Sequence, residues 1–86
     1  MEKKVLKLGM LGAGGQLIIE SGLLTFKGIM GKSFKVQIAD IDTVTLDSAG
    51  FGRGMLKVIG HGTILASVEI PTSWAEKCQQ WILDNK

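Results

Sequence analysis

Alternation of apolar and polar residues with a period of two, cut at intervals by glycine-containing turns, runs through most of this chain. It is clearest in "KSFKVQI", where Phe34, Val36 and Ile38 point one way, and it recurs in "DTVTLDS". Twelve glycines and a single proline accompany it, with candidate turns at "SG" and "HG". The pattern predicts six or seven short antiparallel strands.

The period changes to about 3.6 after the single proline, Pro71. Trp74, Cys78, Trp81 and Ile82 then form one apolar stripe, which predicts a helix over residues 73–85. Ser73, followed three residues later by Glu76, is typical of a capping box. Because short hairpins leave one side of a small sheet structure open, we expect this helix to close it.

At 86 residues the chain is long enough for one core and is predicted to be a single domain. We assign residues 1–15 to a lead-in segment, 16–70 to the strands and 73–85 to the helix. Residues 1–8 fit either an edge strand or a helical turn. The predicted fold is mostly β, a partly open barrel or sandwich of six to seven antiparallel strands capped by the C-terminal α-helix.

Two glycine-rich stretches resemble nucleotide-binding motifs but lack their context. "GAGGQL" leads into a strand pattern instead of a helix and has Leu17 where the dinucleotide motif has glycine or alanine. "GKS" would need glycine at position 26, which is Phe26. Asp40, Asp42 and Asp47 lack the spacing of a calcium loop. The sequence therefore predicts no cofactor and no metal site.

No constellation for catalysis is evident either. His61 lies in a turn between two glycines, so we expect an exposed residue without a partner for acid-base chemistry. Cys78, the single cysteine, falls on the apolar stripe of the helix, where an inert buried thiol is expected. We predict that the chain is not an enzyme.

The basic residues suggest one binding function. Lysines and an arginine on or beside turns and outward strand positions are candidates for binding an anion: Lys27, Lys32, Lys35, Arg53 and Lys57. The net charge is only +2 and the cations are scattered along the chain, which argues against a nucleic-acid partner. If these residues bind anions, a membrane surface is one possible partner.

Apolar residues predicted to point outward suggest a second function. If Leu56 and Val58 face the core, then Met55 and Ile59 face outward, and the same parity is assigned to Ile18 and Leu65 on their strands. On the last strand Ile64 is expected on the core face. Several outward apolar residues on strands favour a protein partner, and a second copy of the chain is the simplest one.

The apolar residues near the N-terminus are interrupted by Lys7 and Gly9, so they match neither a signal peptide nor a membrane span. A lone cysteine gives no internal disulfide and fits a reducing compartment. We therefore expect a cytoplasmic protein.

The series from Gly12 to Ile59 resembles small bacterial and phage domains with a pleckstrin-homology-like fold. The shared features are "GQL" before the first strand, "KG" and "GKS" before the third, "I-x-x-I-x-x-V" at Ile38, Ile41 and Val44, an "A-G-x-x-x-G" turn before "MLKV", and the late "WI". The likeness spans about residues 12–83. It implies a strand sandwich or open barrel closed by a helix.

In that family some eukaryotic members bind phosphoinositide head groups through basic residues around the turn between the first two strands. Here that turn is Ser21-Gly22, next to Glu20, and it carries no basic cluster. Some bacterial members are thought to act as oligomeric scaffolds. The leading expectation is thus a non-enzymatic binding or scaffold module that associates with a protein, including itself. The alternative is a module that binds an anionic ligand or a phospholipid head group.

Overall fold

The computed structural model describes residues 3–9, 14–28, 33–48 and 50–86. They form seven strands, one 3-10 helix and one α-helix. In chain order these are β1 (Lys3–Lys7), β2 (Gln16–Glu20), β3 (Leu23–Lys27), β4 (Ser33–Gln37), the 3-10 helix (Ile38–Asp40), β5 (Thr43–Ser48), β6 (Arg53–Gly60), β7 (Thr63–Pro71) and α1 (Thr72–Asp84).

The strands form two antiparallel sheets, one of four strands in the order β1-β2-β3-β4 and one of three in the order β5-β6-β7. Two hairpins use two-residue turns in which both central residues have positive φ. These are Ser21-Gly22, at 55° and 77°, and His61-Gly62, at 53° and 76°. Turns of this hand match the twist of the flanking strands, which explains why "SG" and "HG" end strands as predicted.

The inner faces of the two sheets meet in one apolar core. Leu17 and Leu24 from the first sheet and Val58 from the second have no measurable exposure. Each fully buried side chain of this kind contributes about 1.5–3 kcal/mol relative to an exposed one. The core confirms the inward parity assigned to Leu56 and Val58.

The helix α1 closes the structure beside the three-stranded sheet and packs against all three of its strands. Ala75, Cys78 and Ile82 are its buried residues, while the two tryptophans are only partly buried against the core. Gln79 Nε2 donates a hydrogen bond to the Val44 carbonyl oxygen at 2.7 Å, on edge strand β5. These contacts confirm the predicted β-rich fold with a helix covering the open side.

Three details differ from the sequence prediction. The segment assigned as a lead-in contributes edge strand β1, and Leu8 after it is 1% exposed within the core. The helix begins at Thr72 and has Pro71 at its N-cap position. Ser73 therefore lies inside the first turn, and no side chain makes a capping hydrogen bond there, so the predicted capping box is wrong.

The third difference is the direction of the side chains at the start of β7. A register shift between Val58 and Ile59 places Ile64 opposite Ile59. Ile64 is consequently 53% exposed, and Leu65 packs against the core. An irregularity of one residue moves the following side chains to the opposite face of a strand. A prediction from strict alternation therefore placed Ile64 inside and Leu65 outside, the reverse of the structure.

Candidate anion-binding face

The outward face of the four-stranded sheet gathers lysines from three strands. The antiparallel register places Lys3 and Lys7 of β1, Lys27 of β3 and Lys35 of β4 on this one face, because residues directly opposite each other share a face. All four are exposed. We call this surface the lysine face.

The lysine face carries little negative charge. Of the residues that the structure describes, its one carboxylate is Glu20, which lies opposite Lys3 at one end of the sheet. Within the residues that the structure describes, none of the four lysines has an ion pair or a hydrogen bond. Like charges on adjacent strands repel each other, so this arrangement does not favour folding by itself.

The centre of the lysine face is apolar. Val5, Ile18 and Thr25 lie side by side across β1, β2 and β3, and Val5 is 41% exposed. Ile18, predicted to belong to an association surface, is only 9% exposed, because it lies on an interior strand flanked on both sides. That prediction is corrected: Ile18 points outward but offers almost no surface to a partner.

The outward face of the three-stranded sheet is organised differently, and we call it the paired face. Lys57 Nζ lies 2.6 Å from Asp47 Oδ2, and Arg53 Nε donates to Glu69 Oε1 at 3.2 Å. Both pairs join neighbouring strands diagonally. Each cation of this face therefore already has a carboxylate partner.

The predicted set of anion-binding residues is divided between the two faces. Lys27 and Lys35 lie on the lysine face, whereas Arg53 and Lys57 lie on the paired face and are engaged in ion pairs. Lys32 falls outside the described residues. The four described cations of the set thus do not converge on one site.

The predicted association residues are also not brought together. Met55 and Ile59 lie half-buried on the paired face, as their parity indicated. Leu65 packs against the core, so its predicted outward position is wrong. Ile64 takes its place as the exposed residue and lies opposite Ile59.

His61 is exposed in its turn, as predicted, but it has partners that the sequence did not indicate. Its Nε2 lies 3.1 Å from Asp40 Oδ1, and its backbone N–H donates to Asp42 Oδ2 at 3.0 Å. The chain folds so that the 3-10 helix meets the β6–β7 turn. These contacts fasten the 3-10 helix, which connects the two sheets, to the β6–β7 turn. Among the described residues, no group of three His, Cys, Asp or Glu side chains has a geometry that could hold a metal ion.

Cys78 lies on the inner face of α1 and is completely buried. Burial raises the pKa of its thiol from an ordinary 9.0 to about 11, because the thiolate would lose its hydration in the apolar core. A thiol held neutral in this way is a poor nucleophile. The side chain serves packing.

One aromatic residue is left entirely exposed. Phe51, at the β5–β6 turn, stands between Gly50 and Gly52, which have positive φ values of 118° and 65°. The backbone N–H of Thr72 donates to the Gly52 carbonyl oxygen at 3.0 Å and fixes the turn to the start of α1. A turn was expected at this "A-G-x-x-x-G" stretch, but the exposure of Phe51 was not.

Sequence reasoning missed half of the lysine face. Lys3 and Lys7 did not enter the predicted site, because residues 1–8 were left open between strand and helix. The alternation in "KVLKL" was the available signal. Once that segment is taken as a strand beside β2, its lysines fall on the face that holds Lys27 and Lys35.

Comparison of the chain with protein-family models, with curated proteins and with solved structures found no match. The resemblance to pleckstrin-homology-like domains therefore stays a prediction. Among the described residues no helix has the length and apolar character needed to cross a membrane.

Proposed function

We propose that this chain is a non-catalytic binding module that binds an anionic partner through the lysine face. The observation that carries the proposal is the presence, on a single sheet face, of four exposed lysines that have no ion pair among the described residues and face one described carboxylate. On the paired face of the same small domain, by contrast, Arg53 and Lys57 are each neutralised by a carboxylate of a neighbouring strand.

The composition of the lysine face favours an anionic surface over single-stranded nucleic acid. Binding of single strands relies on aromatic side chains on which bases stack. The outward residues of the four described strands include no aromatic side chain: Lys3, Val5, Lys7, Gln16, Ile18, Glu20, Leu23, Thr25, Lys27, Ser33, Lys35 and Gln37. Each lysine near an anionic lipid surface contributes about 1 kcal/mol.

The test compares two double variants of equal net charge. Lys27→Gln/Lys35→Gln removes two charges from the lysine face, and Arg53→Gln/Lys57→Gln removes two from the paired face. Binding is measured by co-sedimentation with phosphatidylcholine vesicles that contain phosphatidylglycerol, at low and high salt. We expect the first variant to lose about 30-fold in affinity, equivalent to about 2 kcal/mol, and the second to bind nearly as the wild type.

Two outcomes would contradict this proposal. Equal losses in both variants would mean that net charge alone drives binding and that the lysine face has no special role. No binding of the wild type at low salt, where screening is weakest, would remove the function itself.

We also propose a second function, self-association through the paired face. Ile59 and Ile64 lie opposite each other there, and Ile64 is half exposed. The ion pairs of this face leave no excess charge to repel a second copy, whereas two lysine faces would repel each other. Light scattering at increasing concentration tests this: Ile64→Ser should weaken a dimer and Val5→Ser, on the lysine face, should not. A wild type that stays monomeric at high concentration would refute it.

A further inference from the structure

A continuous row of hydrogen-bond donors crosses the lysine face at one end. The register pairs Lys7 with Gln16, Gln16 with Lys27, and Lys27 with Ser33, so the row runs over all four strands of the sheet. Lys7, Lys27 and Ser33 are exposed, and Gln16 is half-buried between the two lysines. We call these four residues the donor row.

No acceptor within the described part of the chain satisfies these donors. None of the four side chains has a hydrogen bond or an ion pair there. Glu20, the one carboxylate of the lysine face, is four residues from Gln16 along β2, about 13 Å away at the usual rise of a strand. The donor row is thus the most positive part of the lysine face.

The spacing suits a ligand that two lysines hold together. Strands lie about 4.8 Å apart, which places the Cα atoms of Lys7 and Lys27 about 10 Å from each other. Their flexible four-carbon stems allow both ammonium groups to converge above Gln16. The Gln16 amide then lies beneath such a ligand, and the Ser33 hydroxyl lies beside Lys27.

We propose that the donor row is a discrete site for a phosphate group that carries two negative charges, a phosphomonoester. The inference deepens the proposed function and rests on it. Two lysines match the two charges of the group, which is close to doubly ionised at neutral pH. The three peripheral oxygens accept hydrogen bonds from both ammonium groups and from the Gln16 amide. A phosphodiester has one charge and two such oxygens, so it fits the row less well.

The backbone under the donor row is held in place by the connections at this end of the sheet. Leu8 N–H donates to the Gly15 carbonyl oxygen at 2.9 Å, and Gly14 N–H donates to the Leu8 carbonyl oxygen at 2.7 Å. Gly15, with a φ of 100°, lies so close to the Lys27 carbonyl oxygen that a Cβ would come within 2.8 Å of it. Strands fixed in this way present the row on an ordered backbone, so that binding has to order only the side chains.

The test separates a discrete site from diffuse attraction. Vesicles containing phosphatidic acid, a phosphomonoester, are compared with vesicles of equal surface charge containing phosphatidylglycerol, a phosphodiester. We expect the wild type to bind the phosphatidic acid vesicles about tenfold more tightly, which corresponds to about 1.4 kcal/mol. Titration with inorganic phosphate, followed by NMR, shows whether the group is also bound free in solution.

The decisive variant is Gln16→Ala/Ser33→Ala, because it removes two neutral donors and no charge. It should lose the preference for phosphatidic acid and keep the binding to phosphatidylglycerol. The matched control is Thr25→Ala/Gln37→Ala, which removes two neutral polar side chains elsewhere on the lysine face and should keep the preference. Circular dichroism verifies that each variant is folded.

The outcomes distinguish this inference from the proposed function. Equal wild-type affinity for both lipids, without shifts of the row amides in inorganic phosphate, would overturn the donor row and leave the lysine face intact. A preference that survives in Gln16→Ala/Ser33→Ala would also overturn it. Failure to bind either anionic vesicle would remove the proposed function as well. A preference for phosphatidic acid that the variant loses supports the row, with or without binding of free phosphate.

Discussion

The two sheets of this molecule share one core but differ in the charges on their outward faces. On the paired face, Asp47 and Glu69 each neutralise a cation of the neighbouring strand. On the lysine face four cations share one carboxylate and make no ion pairs among the described residues. Both sheets pack against the same core, and their outward faces differ in how charges are placed.

This difference bears on function because exposed ion pairs and unpaired cations have different consequences. A pair such as Lys57–Asp47 adds at most about 1 kcal/mol to stability and offers little net field to a partner. Unpaired lysines add nothing to stability, since they repel one another, but they generate a positive field over the whole face. The ion pairs of the paired face therefore contribute to stability, whereas the lysine face carries the positive field on which the proposed anion binding rests.

The largest effect is expected where the two sheets are joined. Gly60, at the end of β6, lies directly against the carbonyl oxygen of Asp40 in the 3-10 helix, and a Cβ there would overlap that oxygen and crowd Leu65. We expect Gly60→Ala to lower the free energy of unfolding by about 3 kcal/mol, because the backbone of one segment must move. Urea unfolding followed by tryptophan fluorescence measures the change.

Two control variants show whether the loss of stability comes from the contact of Gly60 with Asp40 or from replacing any glycine with alanine. Gly22 and Gly62 occupy the same position in the two hairpin turns, with positive φ and open space around them. Gly22→Ala and Gly62→Ala should each cost about 1 kcal/mol, the penalty of a left-handed conformation. If Gly60→Ala lowers the free energy of unfolding no more than these two variants do, the close contact between Gly60 and Asp40 does not hold the 3-10 helix against the second sheet.

The second effect concerns the interior that both sheets share. The pKa of Cys78 is raised to about 11 in the folded protein, so the unfolded chain loses its thiol proton first as the pH increases. Folding is therefore stabilised by the neutral thiol below about pH 9, and this contribution falls as the pH rises towards about 11. Relative to Cys78→Ala, the wild type should lose about 1.4 kcal/mol of stability between about pH 8 and about pH 10.

Comparing the two proteins at each pH cancels the titration of the lysines, which both retain. A stability difference between wild type and Cys78→Ala that stays constant over this range would mean that water reaches the thiol in the folded state. The core between the sheets would then not be dry under the helix. Slow reaction of the native thiol with a disulfide reagent, and fast reaction in urea, would agree with the predicted shift.

Much of the fold could be predicted because it depends on local patterns. Alternation fixed the inward parity of Leu56 and Val58, and the change of period at Pro71 indicated the helix. The register shift beside Ile59 could not be seen, because it arises from pairing between strands and leaves no mark in the order of residues. Because of that single irregularity, Ile64 is exposed and Leu65 packs against the core, the opposite of the prediction.

The candidate site was harder to predict for the same reason. Lys7, Lys27 and Lys35 belong to three different strands and were judged scattered, yet the sheet order and register place them on one face of the same sheet. Conversely, Arg53 and Lys57 were counted as free cations, because their carboxylate partners lie on other strands. A face of a sheet is assembled from several strands, so its charge follows from register and not from composition.

The smallest effect sharpens the comparison of the two faces directly. Lys57→Gln removes a cation from an ion pair, whereas Lys27→Gln removes one that has no partner in the described structure. We expect Lys57→Gln to lower the free energy of unfolding by about 0.5 kcal/mol at low salt, and Lys27→Gln to leave it unchanged or raise it by about 0.2 kcal/mol. Urea unfolding at low and high salt measures both, and screening should remove the difference.

A double-mutant cycle with Asp47→Asn assigns the cost of Lys57→Gln to its ion pair, with a coupling energy of about 0.5 kcal/mol. Two results would break the comparison: an equal loss of stability in Lys27→Gln, or a coupling of zero. The first would give Lys27 a structural role that its exposed position does not suggest. If Lys27→Gln instead weakens binding to anionic vesicles and leaves unfolding unchanged, stability and binding are separated onto the two faces of one small domain.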